Sequence, residues 1–251
     1  MCEYKSLFRL REATDITISE LETPHLYFST PNAYKDKNDA NIWGFVEGDD
    51  NIYETFNRFL NDEGIKHLAN RLRSIGICCF TTAIPGGKAK SKFLNWRKPI
   101  CIEYDPVIVE NSFAKNKNGI VPFHVGPVSY HNEPLIFEKD KESSWHILWE
   151  ENKFGIMYKS LRSINLADRE FDDLIRRMFT RLSNKYSYQK EVRFISRSLS
   201  ETNSNIEGVK LYIPDKAIKR VLVHRSVDIN SEFMRKLNSI PHLKDKIVYG
   251  W

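Results

Sequence analysis

One stretch of the sequence indicates the fold most clearly: Tyr188-Gln189-Lys190-Glu191-Val192-Arg193-Phe194-Ile195. Side chains of a β-strand alternate between its two faces, so a strand here would carry Gln189, Glu191 and Arg193 on one face. A carboxylate between an amide and a guanidinium is suited to ligand binding or catalysis. The alternative interpretation is a solvated face with an ion pair worth about 0 to 1 kcal/mol.

The segments on either side of this strand predict both helices and strands. Residues 165–186 place apolar side chains at helical spacing, which predicts a helix. The polar residues 198–208, followed by a strand at 209–213, predict a hairpin with the Glu191 strand. Further strands are predicted at 7–11, 26–29, 74–82, 99–104, 220–224 and 246–249, with a pair within 121–130, and further helices at 52–73, 143–158 and 231–237. The pattern predicts an α+β fold with flanking helices and a largely antiparallel or mixed sheet, whose strands come from both ends of the chain.

Length and composition favour a single domain over residues 1–251. The chain has 251 residues and is 41% hydrophobic, which is enough to bury a substantial core. It contains no run of about 18 apolar residues, and its first residues lack the apolar core of a secretory signal. We therefore expect a cytoplasmic protein without a membrane partner. The four cysteines lack metal-ligand spacing, so no metal site is predicted.

The most basic local stretch runs from Lys88 to Lys98 and follows Pro85-Gly86-Gly87. Glycine and proline before it predict an exposed loop. Its functional interpretation is a phosphate-contacting loop with Trp96 as a stacking platform, and its alternative is a solvated loop with one anchored tryptophan. The formal net charge of +5 permits contact with nucleic acid without arguing for it.

Four segments together resemble a bacterial family defined only as a domain of unknown function. They are Leu7-Phe8-Arg9-Leu10-Arg11, Leu26-Tyr27-Phe28-Ser29-Thr30-Pro31 with Asp36 and Asp39, Cys79-Phe80-Thr81 followed by Trp96, and Tyr188 to Arg193. That family shows an aromatic-basic first strand, a Phe-Asn-Asp-Pro-type segment, a Cys-Phe-Ser strand and a late Glu-x-Glu-x-Arg strand. In this chain Lys35-Asp36-Lys37-Asn38 stands where the family has Asn-Asp-Pro-Phe. The family's description carries no chemistry.

A more distant resemblance does imply a chemistry. An arginine on an early strand, a Ser-Thr pair that closes the next strand and a late Gln-x-Glu are similar to the Arg, Ser-Thr-Ser and Gln-x-Glu pattern of ADP-ribosyltransferases. In this sequence the corresponding residues are Arg9 or Arg11, Ser29 with Thr30, and Gln189 with Glu191. The resemblance implies NAD as the substrate. The arginine would hold the NAD phosphates or ribose, Ser29 would support the nicotinamide side, and Glu191 would engage the ribose 2′-hydroxyl.

The resemblance leaves the biological role and the acceptor to be found. A small enzyme of this kind would suit a toxin or a phage-defence effector. Protein, RNA, DNA and water all stay open as the acceptor of ADP-ribose, and the oligomeric state is not predicted.

Two further hypotheses belong to other functional classes. A Mg²⁺-dependent nuclease would take its carboxylates from Asp36, Asp39, Glu103, Asp105 and Glu191, and would hold the nucleic-acid backbone with Lys88, Lys90 and Lys92. A non-enzymatic module would bind a nucleotide or nucleic acid in an aromatic groove. The transferase hypothesis requires an early arginine, Ser29 and Glu191 to converge on one cleft, whereas the nuclease hypothesis requires at least two acids at metal-bridging distance.

Overall fold

The computed structural model describes residues 4–30, 75–114, 121–131, 176, 179–197 and 208–251. Its helices are α1 (Asp15–Glu22), α2 (Gly87–Asn95), α3 (Pro106–Ala114) and α4 (Glu232–Ser239), with 3₁₀ segments at Asn184–Gln189, Asp215–Ala217 and Pro241–Leu243. Nine strands form one sheet: β1 (Leu7–Arg11), β2 (His25–Ser29), β3 (Ile75–Thr81), β4 (Ile100–Tyr104), β5 (Val121–Pro127), β8 (Glu191–Arg197), β9 (Gly208–Tyr212), β10 (Ile218–Val223) and β11 (Ile247–Tyr249). A second sheet pairs β6 (Ser129–His131) with β7 (Arg181–Ser183). These elements confirm the predicted α+β class, with a large sheet that is antiparallel except at β10–β11 and a small sheet whose two strands are parallel.

The large sheet forks at β3. One edge of β3 pairs with β8 along its whole length, and β8 pairs in turn with β5. A strand has only two hydrogen-bonding edges, so β1 and β2 must share the other edge of β3. Each pairs with it at one position, Phe8 with Thr81 and Ser29 with Ile77. From there β1 leads to β4, β10 and β11, and β2 leads to β9.

The main hydrophobic core covers one face of the sheet. On β4 the alternate residues Ile100, Ile102 and Tyr104 belong to this core, whereas Cys101 belongs to a smaller cluster with Phe8 and Leu222 on the other face. Helix α3 joins the core through Phe113, whose ring packs on Phe28 and Phe194 at centroid distances of 5.5 and 5.7 Å. Burying large aromatic side chains in this way is a major source of folding free energy.

Most predicted strands are confirmed, and several other predictions are wrong. The residues from Lys88 to Lys98 contain helix α2 rather than a loop. The helix predicted to reach residue 186 gives way to β7 and a 3₁₀ segment, and Gln189 ends that segment instead of lying in a strand. The predicted hairpin is wrong because β9 pairs with β2 and β8 pairs with β3 and β5. The helices predicted at 52–73 and 143–158 lie outside the described residues.

Among the helices that the structure describes, none has the length and apolar character needed to cross a membrane.

Candidate functional site

A cavity of about 740 Å³ lies at the fork of the sheet. We call it the fork cavity. It is lined by β1, β2 and β3, by the C-terminal end of α2 and by the segment that leads into β8. Its polar lining consists of Arg9, Arg11, Tyr27, Ser29, Cys79, Thr81, Lys98, Tyr186, Gln189 and Glu191. Cavities of this size bind small molecules in many proteins.

The first wall of the cavity carries two arginines that share one carboxylate. Arg9 Nη1 lies 3.3 Å and Arg11 Nε lies 2.7 Å from the carboxylate oxygens of Glu20, which reaches them from α1. The Tyr104 hydroxyl donates a hydrogen bond of 3.0 Å to the same carboxylate. Burial alone would raise the pKa of Glu20, but Arg9 and Arg11 hold that pKa below its ordinary value. Glu20 is therefore ionised near neutral pH and fixes both guanidinium groups.

The second wall is aromatic and comes from α2 and the 3₁₀ segment. Phe93 and Trp96 of the α2 region both pack on Tyr188, with ring centroids 6.4 and 6.5 Å apart. The Lys98 ammonium lies 5.9 Å from the centroid of the Trp96 ring, which is a cation–π distance. Burial, together with Arg11 nearby, lowers the pKa of Lys98 below its ordinary value. This wall thus combines ring surfaces with a partly buried cation.

The third wall presents the carboxylate of Glu191. Arg193 Nε donates a hydrogen bond of 2.6 Å to Glu191 Oε1, and Arg193 Nη1 donates one of 3.0 Å to the carbonyl of Phe179. The backbone N–H of Glu191 donates to the Tyr130 hydroxyl at 2.8 Å. The structure therefore fixes the carboxylate through one oxygen. No hydrogen bond from another described residue reaches the second oxygen, Oε2.

Two residues with positive φ flank the cavity. Arg97 has φ 56° and lies between Trp96 and Lys98, and Lys190 has φ 46° and lies between Gln189 and Glu191. Non-glycine residues rarely adopt this left-handed conformation, which costs on the order of 1 to 3 kcal/mol and is concentrated at functional sites. At Arg97 the conformation ends α2, as Lys98 N–H donates to the Phe93 carbonyl at 3.0 Å. Each bend orients the lining residues on either side of it.

Strand β2 contributes Ser29 and Tyr27 to the lining. The Tyr27 ring lies directly against the backbone of Gly208 on β9, where an added Cβ would be 2.5 Å from Tyr27 Cζ. Glycine at position 208 is therefore required for this close approach. The contact fixes one side of the cavity beside Ser29.

Five of the six predicted ligand-binding and catalytic residues line the fork cavity: Arg9, Arg11, Ser29, Gln189 and Glu191. Thr30 is buried at 2% exposure and does not line it. The interpretation of the 189–193 row as a solvated face is wrong, because Glu191 is 7% and Arg193 0% exposed. The ion pair within this row is buried and lies along one strand.

The strand register places the arginines and Glu191 on opposite faces of the sheet. Thr81 pairs with both Glu191 and Phe8, so Glu191 shares the face of Phe8. Arg9 follows Phe8 on β1, and successive side chains of a strand point to opposite faces, so the Arg9 side chain lies on the other face of the sheet. Both still line one cavity, which lies where β1 leaves the edge of β3. A ligand that contacts both groups would have to pass through the fork.

Sequence reasoning missed Glu20. Glu20 lies on the buried face of α1 with Thr17, Ile18 and Leu21, which follows helical spacing. An acidic residue at such an apolar position requires a buried cation as partner, and this signal was available in the sequence. Lys98 belonged to the basic stretch interpreted as a phosphate-contacting loop, but the sequence did not place it in one cavity with Arg9 and Arg11.

The carboxylates proposed for a nuclease are not gathered at the cavity within the described residues. Glu191 is the one acidic residue in its described lining. Glu103 is paired with Arg220 and Lys219, and Asp105 caps α3 through hydrogen bonds of 2.9 and 3.1 Å from Val107 and Ile108. Asp36 and Asp39 lie outside the described residues.

No family model, curated protein or solved structure matches this chain. The two resemblances drawn from the sequence therefore stay predictions.

Proposed function

We propose that this protein is an NAD-dependent enzyme similar to ADP-ribosyltransferases, with the fork cavity as its NAD site. One observation supports the proposal above all others: Arg9, Arg11, Ser29, Gln189 and Glu191 line the same cavity. These residues come from β1, β2 and the end of a 3₁₀ segment leading into β8, at distant positions in the chain. The transferase hypothesis requires an early arginine, Ser29 and Glu191 to converge on one cleft, and this cavity meets that requirement.

The arginine wall suits the diphosphate of NAD. Arg9, Arg11 and Lys98 supply three cations, and Glu20 neutralises only part of that charge. Guanidinium groups form paired, charge-assisted hydrogen bonds with phosphate oxygens. Because Glu20 already fixes both guanidinium groups, little side-chain entropy is lost when the phosphate binds. The aromatic wall offers Trp96 and Tyr186 for contact with a base.

The Glu191 wall suits the nicotinamide ribose. Cleavage of the bond between ribose C1′ and the nicotinamide nitrogen leaves positive charge on the ribose, and the bonding electron pair departs with nicotinamide. A carboxylate beside the sugar stabilises that charge and accepts a hydrogen bond from the 2′-hydroxyl. Arg193 holds Oε1 of Glu191 at 2.6 Å, so Oε2 is the oxygen available for this contact.

Gln189 and Ser29 would complete the ribose end of the site. Gln189 immediately precedes the bend at Lys190, and its amide can donate and accept hydrogen bonds. Ser29 lies at the other side of the fork, on β2. With water as the acceptor, its oxygen bonds to C1′, one proton is released, and the products are ADP-ribose and nicotinamide. A role in toxin action or phage defence would follow from loss of NAD or from modification of an acceptor.

The test measures NAD binding by thermal shift and nicotinamide release by chromatography with the purified protein. We expect NAD to raise the unfolding temperature and nicotinamide to appear over time. Gln189→Ala and Glu191→Gln should lose release by about 100-fold or more. Glu22→Gln, an exposed carboxylate on α1, is the matched control and should leave both readouts unchanged.

Glu191→Gln removes the carboxylate that pairs with the buried Arg193, so the unfolding temperature of this variant without NAD must be measured first. Gln189→Ala leaves that ion pair intact and keeps the test valid if Glu191→Gln unfolds. NAD binding without cleavage would favour the non-enzymatic module. If NAD neither binds to the protein nor is cleaved by it, the proposal is overturned, because NAD binding requires no acceptor.

A further inference from the structure

We propose that a basic surface at the mouth of the fork cavity binds single-stranded nucleic acid, and, where the proposed function holds, that this strand is the acceptor of ADP-ribose. The surface consists of residues 87–98 and 184–190, and we call it the lysine surface. These two segments contain seven basic residues and no acidic residue: Lys88, Lys90, Lys92, Arg97, Lys98, Lys185 and Lys190. That local excess is larger than the net charge of +5 of the whole chain. A clustered excess of this kind is the electrostatic signature of a polyanion site.

The two segments form one continuous surface. Tyr188 of the 3₁₀ segment packs on Phe93 and Trp96 of the α2 region at centroid distances of 6.4 and 6.5 Å. Phe93 and Trp96 also pack on each other, with centroids 5.6 Å apart. Both basic segments therefore contribute rings to a common aromatic cluster, and Lys98 lies 5.9 Å from the centroid of its Trp96 ring.

Most of these cations face solvent and have no carboxylate partner in the part of the chain that the structure describes. Five of the basic residues are exposed, and none of the five forms an ion pair with another described residue: Lys88, Lys92, Arg97, Lys185 and Lys190. By contrast, Lys236 on α4 is paired with Asp15 and Glu232 at 2.8 and 2.9 Å. The acid Glu12 acts on this surface, because its charge raises the pKa of Lys98, whereas burial and Arg11 lower that pKa. Unpaired cations are free to replace the counterions of a phosphate backbone.

The aromatic cluster favours a single strand over other polyanions. Trp96 is 41% exposed although it also lines the cavity. Unpaired bases stack on such rings, whereas the bases of a duplex are already stacked on each other. An acidic peptide or an anionic membrane would use the lysines but gain little from the exposed indole ring.

The position of the surface connects it with the proposed chemistry. Trp96, Lys98, Tyr186 and Gln189 belong to the segments of the lysine surface and line the fork cavity as well. A strand held on the lysine surface would therefore present its bases or sugar hydroxyls at the mouth of the cavity. This acceptor assignment rests on the proposed function, but the binding assignment does not.

The binding test uses fluorescein-labelled 16-nucleotide DNA and RNA of mixed sequence, without NAD, and measures anisotropy at several salt concentrations. We expect single strands to bind more tightly than the matching duplex, with an affinity that falls steeply as salt rises. The triple variant Lys88→Glu, Lys92→Glu, Lys185→Glu should lose about tenfold or more in affinity and show a shallower salt dependence. Trp96→Ala should lose about fivefold or more.

The control is the triple variant Lys216→Glu, Arg235→Glu, Lys244→Glu, which reverses as many exposed charges away from this surface. It should bind within about twofold of the unsubstituted protein. Equal losses in both triple variants would overturn the proposal, and so would tighter binding to polyglutamate or to phosphatidylserine vesicles at the same salt. Circular dichroism verifies that each variant is folded.

The acceptor assignment is tested by incubating the same oligonucleotides with NAD labelled on its adenylate. Transfer of label to the strand, lost in Gln189→Ala, would support it. Strand binding together with NAD cleavage but without transfer would overturn the acceptor assignment alone. Strand binding without any NAD cleavage would instead reject the proposed function and leave the binding surface standing.

Discussion

Two buried glutamates, Glu20 and Glu103, each pair with two basic residues, and their surroundings differ sharply. The partners of Glu20 are Arg9 and Arg11, whose side chains are 8% and 26% exposed. The partners of Glu103 are Arg220 and Lys219, whose side chains are 48% and 39% exposed. Glu103 and Arg220 face each other across β4 and β10, as in an ordinary cross-strand pair. The cations of Glu103 keep their contact with water at the sheet surface, whereas those of Glu20 are enclosed beside the fork cavity, where the proposed function assigns them to a ligand.

The largest effect is expected when the enclosed cluster loses its carboxylate. Glu20→Gln leaves Arg9 and Arg11 without a buried counter-ion, which should lower the free energy of unfolding by about 3 to 5 kcal/mol. Urea denaturation followed by tryptophan fluorescence measures this loss. A decrease below about 1 kcal/mol would mean that the arginines are solvated without Glu20, and the contrast with Glu103 would fail.

A smaller effect is expected at the second cluster. Glu103→Gln removes charge-assisted hydrogen bonds from Ser6 and Arg220, at 2.6 Å each, but the cations can turn to solvent. The free energy of unfolding should fall by about 1 to 2 kcal/mol. Repeating the denaturation in 1 M KCl should reduce this loss, because salt screens exposed charges, and should leave the loss in Glu20→Gln nearly unchanged.

The lowered pKa values of Glu20 and Glu103 predict that the protein loses stability in acid. The pKa of each carboxyl is below its ordinary value in the folded protein: burial opposes this shift, while Arg9 and Arg11 at Glu20, and Ser6 and Arg220 at Glu103, outweigh it. The unfolded chain therefore binds more protons, so this stability is present above about pH 4.5 and is lost as pH falls through the folded pKa. Denaturation between pH 6 and pH 3 should show a shallower decline for Glu20→Gln than for the unsubstituted protein. A parallel decline would contradict the assignment.

The smallest effect on stability is expected at a surface cluster of three charged residues, all of which are exposed. Lys236 on α4 bonds to Asp15 on α1 and to Glu232, all at the surface. Solvent and salt weaken such contacts, so Lys236→Ala should leave the urea midpoint unchanged within error. A clear shift would show that enclosure is not what separates the Glu20 cluster from the surface pairs.

The strands could be predicted from sequence because alternation leaves a local trace. The first strand and those at β4 and β10 were read correctly from their apolar patterns. Pairing between strands leaves no such trace. The polar turn before Gly208 resembled a hairpin, but β8 already has a partner on each edge from earlier parts of the chain. Helix α2 was missed because Phe93 is its one buried residue, so tertiary contact rather than pattern decides its conformation.

The geometry of the site could not be predicted for the same reason, since it depends on contacts between distant parts of the chain. The residues Arg9, Arg11, Ser29, Gln189 and Glu191 were selected by resemblance, and their meeting depends on the fork, which no local pattern encodes. Lys190 illustrates the difference: its positive φ ends the 3₁₀ segment one residue before β8. Alternation predicted an unbroken strand there, although lysine gives no sign of a left-handed bend.

The fork also makes two arms of the sheet depend on one strand. Strands β1 and β2 are both anchored on β3, which β8 holds along its entire other edge. A fluctuation that detaches β3 would separate the two arms from each other, so the backbone amides that lie at the fork, near Phe8 and Ser29, should exchange hydrogen with a shared opening free energy. A molecule seated between the arms would tie them to each other as well as to β3. Slower exchange in both strands would then report occupancy of the cavity before any reaction takes place.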